Sequence, residues 1–292
     1  MKHYVFGKSV KGASHIRAGT DCQDNYKKTE LDDGAVILAV ADGHGSSSCP
    51  YSKTGSKIAV NVFCDIIRSL YESYSENNSM LPSFLNREGD TNISKAIDSE
   101  WKKRVLERHR KNKRDIPKND DDTDNIQAVY KQYGTTLIGL LITDTFVFGF
   151  QLGDGDAFFV NENGIERVIE AEKILGVETH SLSRENAWEK AVTSLRMIDI
   201  SAHAPMFFSL STDGYSNSYS TEKGFQDAVK EYLPLIKEHG VRVIANALPD
   251  WLSETSSMGC GDDITMLIAY FVNDETEEAF SDDEDLKDER DQ

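Results

Sequence analysis

Short acidic motifs recur along this chain of 292 residues, and three of them follow an apolar run. Asp42 opens DGHG after AVILAVA, Asp154 lies in LGDGDAFF after TFVFGFQ, and Asp213 lies in STDG after MFFSL. Asp262 instead precedes ITMLIAYF, whereas Asp24, in GTDCQDNY, has no such run. Carboxylates beside glycines at strand ends can converge at one rim of a sheet, so the sequence predicts a strand-rich fold with an acidic rim.

Carboxylates gathered in this way predict a metal site. Their oxygens are the ligands that hard divalent cations such as Mg²⁺ and Mn²⁺ prefer. Two such ions can activate a water molecule and hold a phosphoryl group for in-line displacement. From the residues alone, the chain is therefore expected to be a metal-dependent phosphate hydrolase.

The charge of the chain disfavours some partners, and its distribution indicates two parts of the chain. Its formal net charge is −18, from 50 acidic and 32 basic residues, which disfavours nucleic acid and anionic membranes as partners. Half of that charge lies in residues 274–292, which hold eleven acidic and two basic residues. We expect a folded catalytic domain over residues 1–273 and a disordered acidic tail over 274–292.

Hydrophobic patterns predict a single α+β domain. A stripe repeating every four residues predicts a helix over Lys53–Tyr74, and a weaker stripe from Ile93 to Val105 predicts a second helix. A third helix is expected near Val241–Leu248, before Pro249. Apolar runs bounded by Gly, Asp or Asn predict strands at Tyr4–Val10, Ala35–Ala41, Thr136–Thr143, Phe146–Leu152, Ala157–Asn161, Met206–Ser211 and Ile264–Val272.

Two polar segments are expected to lie outside this framework. Residues 108–127, RHRKNKRDIPKNDDDTDNIQ, are predicted to form an exposed loop. The segment that begins with YSNSYSTEKG at Tyr215 and continues towards Tyr232 is predicted to include a mobile flap that helps to select substrates.

Other features exclude a cysteine-based phosphatase and a secreted or membrane protein. None of the four cysteines lies in a CxxxxxR phosphate loop or a CxxC pair. The segment MKHYVFGKSVKG has no apolar signal region, and no stretch reaches the ~20 apolar residues of a membrane span. A cytoplasmic monomer is expected.

The order of the motifs resembles the protein phosphatase 2C family, the metal-dependent Ser/Thr phosphatases. An Asp after a G…H…G pattern is followed by DGHG, by GTTL, by a Gly-Asp pair, by STDG and finally by GDDIT. The resemblance extends from about Tyr4 to Phe271, and Gly12, His15 and Gly19 with CQD are most similar to a bacterial branch. It implies a four-layer α-β-β-α sandwich of two antiparallel sheets flanked by helices, with a binuclear Mn²⁺ or Mg²⁺ centre at one end.

The resemblance also implies roles for individual residues at that centre. Asp42 would bridge both ions, and the carbonyl of Gly43 would bind one of them. Asp213 and Asp262 would ligate the other ion, while Asp24 would hold metal-bound water. The hydroxide formed from such water would attack phosphorus in line.

Two further roles complete the implied site. Asp154 would contribute to a third, weaker metal site, and His44 would be the general acid that protonates the leaving Ser or Thr oxygen. Asp156 is an acid where the family has Ser-Arg after Gly-Asp, so it either alters the third site or caps a strand at the surface. Asp263 replaces a common Asn and is expected to lie behind the ligands, where it adds negative charge.

One departure concerns the arginine that grips the substrate phosphate in the family, about five residues before the first Asp. Position 19 is Gly in this chain, and the nearest candidates are Arg17 and His15. Arg17 is the predicted phosphate-binding residue, although it lies two residues further from Asp24 than is usual.

Three functions follow from these observations. The leading one is hydrolysis of phosphoserine and phosphothreonine in proteins, with phosphorylated Ser/Thr proteins and a cognate kinase as partners. A pseudophosphatase that binds a phosphoprotein or kinase is the alternative, which the missing arginine favours and the complete set of acids opposes. A small-molecule phosphatase or phosphodiesterase that uses the same centre is the third.

Overall fold

The fold is given by a computed structural model that describes residues 2–75, 77–170 and 179–273. Its strands are β1 Lys2–Val10, β2 Asn25–Glu30, β3 Val36–Ala41, β4 Leu137–Ile142, β5 Phe146–Leu152, β6 Asp156–Asn161, β7 Gly164–Arg167, β8 Val192–Met197, β9 Met206–Ser211 and β10 Ile264–Val272. Its helices are α1 Ala13–Ala18, α2 Ser52–Ser73, α3 Leu81–Glu88, α4 Ser94–Lys111, α5 Ile126–Lys131, α6 Ile200–His203, α7 Asp213–Ser216, α8 Glu222–His239 and α9 Val241–Met258. The predicted tail, 274–292, lies outside the described residues, so the division at residue 273 stays a prediction.

The strands form two antiparallel five-stranded sheets. The first has the order β1-β10-β9-β6-β7 and the second the order β2-β3-β4-β5-β8. Helices α2 and α4 cover the outer face of the second sheet with Phe63 and Trp101, and α8 and α9 cover the first with Phe225 and Leu248. A third apolar layer, which includes Leu38, joins the two sheets. The α+β class and the four-layer sandwich predicted from the sequence are confirmed.

Central strands were recognisable because both of their faces are covered. All nine residues of β10, ITMLIAYFV, are buried, as are all six of β3 and of β4. A strand buried on both faces has a continuous apolar run instead of an alternating pattern. Each of the seven predicted strands is present, with bounds that differ from the prediction by at most two residues.

Peripheral elements were missed. β2, with the sequence NYKKTE, and β8, with VTSLRM, are the two edges of the second sheet and are mostly half-buried. Edge strands that face solvent on one side carry polar residues, so they lack the apolar run on which the prediction depends.

The predicted end of one helix is wrong, and another helix was not predicted. Helix α9 does not end before Pro249 but continues to Met258, with Leu248 and Leu252 buried on either side of the proline. Helix α8 begins within the segment that is predicted to include a mobile flap, and its first turn is capped by the Thr221 hydroxyl accepting a hydrogen bond from the Gly224 N–H. In both cases the apolar face that packs on the first sheet outweighs the local signals for a break or a loop. The mobility of that segment stays a prediction.

Strand register brings the acidic motifs to one end of the sandwich. Val10 pairs with Ile264 and Met266 pairs with Ser211, so β1 and β9 end where β10 begins. In the second sheet, Ala41 pairs with Asn25, so β3 ends where β2 begins. The segments that follow or precede these residues therefore meet at the same rim, as the sequence predicted.

No helix in the described part of the chain is both long and apolar enough to cross a membrane.

Candidate metal centre

The carboxyl groups of Asp42 and Asp213 interact directly at this rim. Asp42 follows β3, and Asp213 is the first residue of α7, directly after β9 and Thr212. Burial raises the pKa of Asp42 well above its usual range, and the negative charges of Asp24, Asp213 and Asp262 raise it further. Burial also raises the pKa of Asp213 to about 6, with a further contribution from the charge of Asp154. These acids repel one another, which is the electrostatic signature of a site for cations.

Asp24 is held beneath this pair by two hydroxyl groups. Its side chain is buried, and its Oδ2 accepts hydrogen bonds from the hydroxyls of Thr212, at 2.7 Å, and Thr265, at 2.8 Å. Burial raises the pKa of Asp24 to about 8, the Thr212 hydroxyl opposes that rise, and the charge of Asp263 adds to it. The Oδ1 of Asp24 is buried and accepts no hydrogen bond.

Asp263 lies behind the acidic cluster and joins distant segments of the chain. Its Oδ1 accepts a hydrogen bond from the N–H of Gly12, and its Oδ2 accepts one from the N–H of Gln23, both at 2.7 Å. Both of its oxygens are thus used in fixing the loop before α1 and the loop that carries Asp24. The neighbouring Asp262 has a half-exposed side chain, and its Oδ1 accepts a hydrogen bond from the N–H of Asp263 at 2.8 Å.

Hydrogen bonds from the GTT string hold the backbone of the DGHG string. The carbonyl oxygen of Asp42 accepts hydrogen bonds from the N–H of Thr136, at 2.9 Å, and from the hydroxyl of Thr135, at 2.7 Å. A side chain at Gly43 would lie 2.7 Å from the carbonyl oxygen of Gln23 and 2.9 Å from that of Ser52, so only glycine fits there. This close packing fixes the backbone on which the Gly43 carbonyl and the Asp42 carboxylate are placed.

His44 is half-exposed at the mouth of the site. Its N–H donates to the carbonyl of Gly134 at 3.0 Å, and a Cβ at Gly134 would lie only 2.6 Å from its Cδ2. The absence of a side chain at Gly134 therefore makes the space that the imidazole occupies.

The structure separates the two candidates for the phosphate-binding residue. Both lie on the short helix α1, but Arg17 is exposed and forms no ion pair with any described residue. His15 faces the cluster, with its Nδ1 2.8 Å from the Oδ1 of Asp263 and its Nε2 3.8 Å from the Oδ1 of Asp262. The shorter contact lacks hydrogen-bonding geometry, since Nδ1 remains without a hydrogen-bond partner, so it is an ionic contact when the ring is protonated.

Asp154 lies beside a histidine to which the sequence gave no role. The hydroxyl of Thr179 donates to the Oδ2 of Asp154 at 2.6 Å. Burial lowers the pKa of the adjacent His180, and the charges of Arg184 and Lys190 lower it further, while Asp154 opposes this. His180 occurs in a string, THSLS, that carries no general signal of function, so only the fold places it near the site.

Asp156 takes neither of the positions expected for it. It is fully buried, and its Oδ1 accepts a hydrogen bond from Nη1 of Arg167 at 2.5 Å. Arg167 also pairs with Glu222 at the start of α8. The second acid of GDGD is therefore part of an internal ion pair between strands β6 and β7 and helix α8, and is neither a site residue nor an exposed cap.

The sequence matches the family described as protein phosphatase 2C over residues 11–253. The chain belongs to the protein phosphatase 2C family. No sequence among curated proteins matches it. As a member of this family it is a metal-dependent protein-serine/threonine phosphatase, with Mn²⁺ or Mg²⁺ as cofactor.

Several solved structures are similar to this protein phosphatase 2C domain. The catalytic domain of the serine/threonine protein phosphatase PstP, in complex with two manganese ions, is 15% identical, with a TM-score of 0.56 and coverage of 93% of this chain and 99% of that one. Stp1 from Staphylococcus aureus is 15% identical, with a TM-score of 0.58 and coverage of 94% and 96%. The S. agalactiae serine/threonine phosphatase is 14% identical, with a TM-score of 0.57 and coverage of 93% and 100%. At these identities the likeness shows a shared fold.

The donor set of this protein phosphatase 2C domain fits divalent cations in its chemistry. Asp24 and Asp213 each have a buried oxygen without a hydrogen bond, and neither they nor Asp42 form an ion pair with a described Lys or Arg. As they stand, no three His, Cys, Asp or Glu side chains among the described residues could hold one ion. A complete ligand shell therefore requires other oxygens, such as the carbonyl of Gly43 and water, or an inward turn of the half-exposed Asp262.

Proposed function

We propose that this protein hydrolyses phosphoserine and phosphothreonine in proteins at a binuclear Mn²⁺ or Mg²⁺ centre. Asp42, the carbonyl of Gly43, Asp213 and Asp262 would hold these ions. The observation that supports this most is the direct contact of the carboxyl groups of Asp42 and Asp213, which no described Lys or Arg neutralises by an ion pair.

The ions, when bound, would lower the pKa of water and offset negative charge on the phosphoryl group. Asp24, fixed by two threonine hydroxyls, would orient a water molecule from below. Asp154 would contribute to a third, weaker site, where the hydroxyl of Thr179 already holds one of its oxygens.

His44 is the proposed general acid. Its half-exposed position at the mouth would allow the imidazole to reach the oxygen of a leaving Ser or Thr while the backbone hydrogen bond to Gly134 holds its main chain. Proton donation to that oxygen would assist cleavage of the P–O bond.

Arg17 is the phosphate-binding residue predicted from the sequence, and His15 is the residue that faces the cluster. The variants Arg17→Gln and His15→Gln distinguish them, because the one that binds phosphate would raise KM for a phosphopeptide. Inhibition by inorganic phosphate gives a second measurement that does not depend on turnover.

The proposal is tested by hydrolysis of p-nitrophenyl phosphate and a phosphothreonine peptide with Mn²⁺, Mg²⁺ or EDTA. Asp42→Asn is compared with Asp250→Asn, which makes the same change at an exposed position on α9. We expect turnover that depends on the metal, is lost in Asp42→Asn and is retained in Asp250→Asn. Equal turnover by Asp42→Asn and the parent protein would contradict the proposal.

A binding-only pseudophosphatase is the second candidate, and the exposure of Arg17 away from the cluster is what favours it. In that case a folded protein would bind the phosphothreonine peptide and hydrolyse neither substrate with any metal. Faster hydrolysis of nucleotides or sugar phosphates than of phosphopeptides would instead indicate a small-molecule phosphatase.

A further inference from the structure

A basic groove runs between α2 and α4 on the outer side of the second sheet, and the proposed reaction does not use it. The groove has a volume of about 580 Å³. We call it the α2–α4 groove, and its basic and amide residues are Lys53, Lys57, Asn61, Arg104, Arg108 and Lys111.

The two helices that form the groove are held at a fixed separation. The buried Trp101 of α4 donates a hydrogen bond from its indole N–H to the carbonyl of Gly55 in α2, at 3.0 Å. A side chain at Gly55 would clash with the carbonyl of Tyr133, 1.9 Å away, so close packing at this point requires glycine. The groove is therefore a preformed feature of the fold.

Positive charge in the groove is only partly neutralised. Arg104 pairs with Asp65, at 2.7 Å, and with Glu100, at 2.8 Å. Lys57, Arg108 and Lys111 are exposed, and within the described part of the chain none of them forms an ion pair. Glu107 is the one acidic residue among those that line the groove. A protein with a net charge of −18 thus keeps a local excess of positive charge at this place.

The helix dipoles favour some of these cations and disfavour others. Arg108 and Lys111 lie in the last turn of α4, where a cation is favourable. Lys53 lies in the first turn of α2, which has no acidic residue, and there the dipole disfavours a cation. Asp21 pairs with Lys53 at 2.9 Å, but Lys57, one turn further along α2, forms no ion pair with a described residue, so a bound anionic group would neutralise it.

The groove begins beside the metal centre. The carbonyl oxygen of Ser52 is one of the atoms that leave no room for a side chain at Gly43. The carbonyl of Lys53 accepts a hydrogen bond at 3.1 Å from the side-chain amide of Asn25, the residue after Asp24. A peptide with its phosphorylated residue at the centre would therefore pass directly onto the first turn of α2.

We propose that the α2–α4 groove binds acidic residues that flank the phosphorylated residue of a protein substrate. This inference rests on the proposed function, since it names the class of substrate for that site. From Lys53 to Asn61 the groove follows about 12 Å of helix, which corresponds to about four residues of an extended peptide. Lysine ammonium and arginine guanidinium groups would bind carboxylates along that length.

The test compares phosphothreonine peptides in which four consecutive flanking residues are all Glu or all Gln, with the run on either side of the phosphothreonine. The variant is Lys57→Glu/Arg108→Glu, and the control is Lys230→Glu/Arg242→Glu, which makes the same charge change at exposed positions on α8 and α9. In the parent protein with Mn²⁺ at low salt, we expect kcat/KM to be about tenfold higher for the Glu peptide with the run on one side. The groove variant loses this preference and the control keeps it.

Hydrolysis of p-nitrophenyl phosphate separates this inference from the proposed function. Equal turnover of that substrate by the parent and both variants shows that the centre is intact, and an unchanged preference for Glu in the groove variant would then overturn the inference. If the parent hydrolyses nothing, anisotropy of a labelled Glu peptide decides: binding lost only in the groove variant supports the groove, and equal binding overturns it.

The chain's own acidic segment, residues 274–292, is the other occupant that the test distinguishes. A labelled peptide with that sequence is added to each protein. Binding that is lost only in the groove variant, together with an unchanged Glu preference in hydrolysis, would assign the groove to that segment and overturn the assignment to substrate.

Discussion

Asp42 and Asp156 lie at the same end of the sandwich, yet the surroundings of their negative charges are opposite. Asp156 is paired with Arg167, a cation that the chain supplies itself. Asp42 lies near the carboxyl groups of Asp24, Asp213 and Asp262, and burial together with their charges raises its pKa. The comparison teaches that a buried acid with its own cation serves the fold, whereas an acid surrounded by other acids is left for a cation from solution.

The largest effect is expected when a proposed metal ligand is removed. Asp213→Asn is expected to lower phosphopeptide hydrolysis by roughly 1,000-fold, which corresponds to roughly 4 kcal/mol of barrier. Because the change also removes a repelling charge beside Asp42, the metal-free protein should become more stable to urea. A variant that kept full activity, or that lost stability in EDTA, would break the contrast.

The matching change at the paired acid should have the reverse effect. Asp156→Ala leaves Arg167 without its buried partner and is expected to lower the free energy of unfolding by about 3 kcal/mol. Mn²⁺ affinity, measured by calorimetry on protein that remains folded, should stay within a few-fold of the parent value. The double variant Asp156→Ala/Arg167→Met serves as a control and should recover part of the stability.

The stability of the metal-free protein should depend on pH through Asp24, another acid of the cluster. Since the pKa of Asp24 is raised from 3.8 to about 8, the folded state holds this proton more tightly than the unfolded state. Stability from this group is therefore fully present below pH ~4 and is lost as the pH rises towards ~8, by an amount on the order of 2 kcal/mol between pH 5 and 7.

Urea unfolding in EDTA at several pH values measures this loss. Asp24→Asn has no proton to release and should give a flatter profile than the parent. A parent profile that rises with pH over the same range would contradict the stated sign.

The smallest effect is expected at Asp263, whose carboxylate accepts hydrogen bonds from backbone N–H groups. Asp263→Asn keeps one acceptor oxygen but loses one of the hydrogen bonds to Gly12 and Gln23, which should cost about 1 kcal/mol of stability. Thermal unfolding measures this loss. Mn²⁺ affinity should change little, and a change as large as that in Asp213→Asn would mean that Asp263 is itself a ligand.

The sequence predicted what depends on continuous apolar runs and on motif order. Strand β10 and the end of β3 were located because buried strands are apolar along their whole length. The convergence of Asp42 and Asp213 at one rim followed from the positions of their motifs relative to the predicted strands, whereas the place of Asp24 followed from the resemblance of the motif order.

The rest depended on contacts that a linear pattern does not contain. Asp154 and Asp156 are chemically alike and two residues apart, and only the position of Arg167 on the neighbouring strand separates their roles. The direction of His15 towards Asp263 follows from how α1 sits on the loop before β10, where the N–H of Ser14 donates to the carbonyl of Gly261. Polar edge strands such as β2 likewise take their structure from a neighbour instead of from their own sequence.

The placement of β10 has a consequence for how the protein is made. This strand is inserted between β1 and β9, and the acids that precede it complete the rim. In a growing chain on the ribosome, the edges of β1 and β9 that β10 covers are therefore unpaired until residue 272 has emerged. Enzymatic competence and protection from aggregation would therefore arrive together, once β10 has emerged.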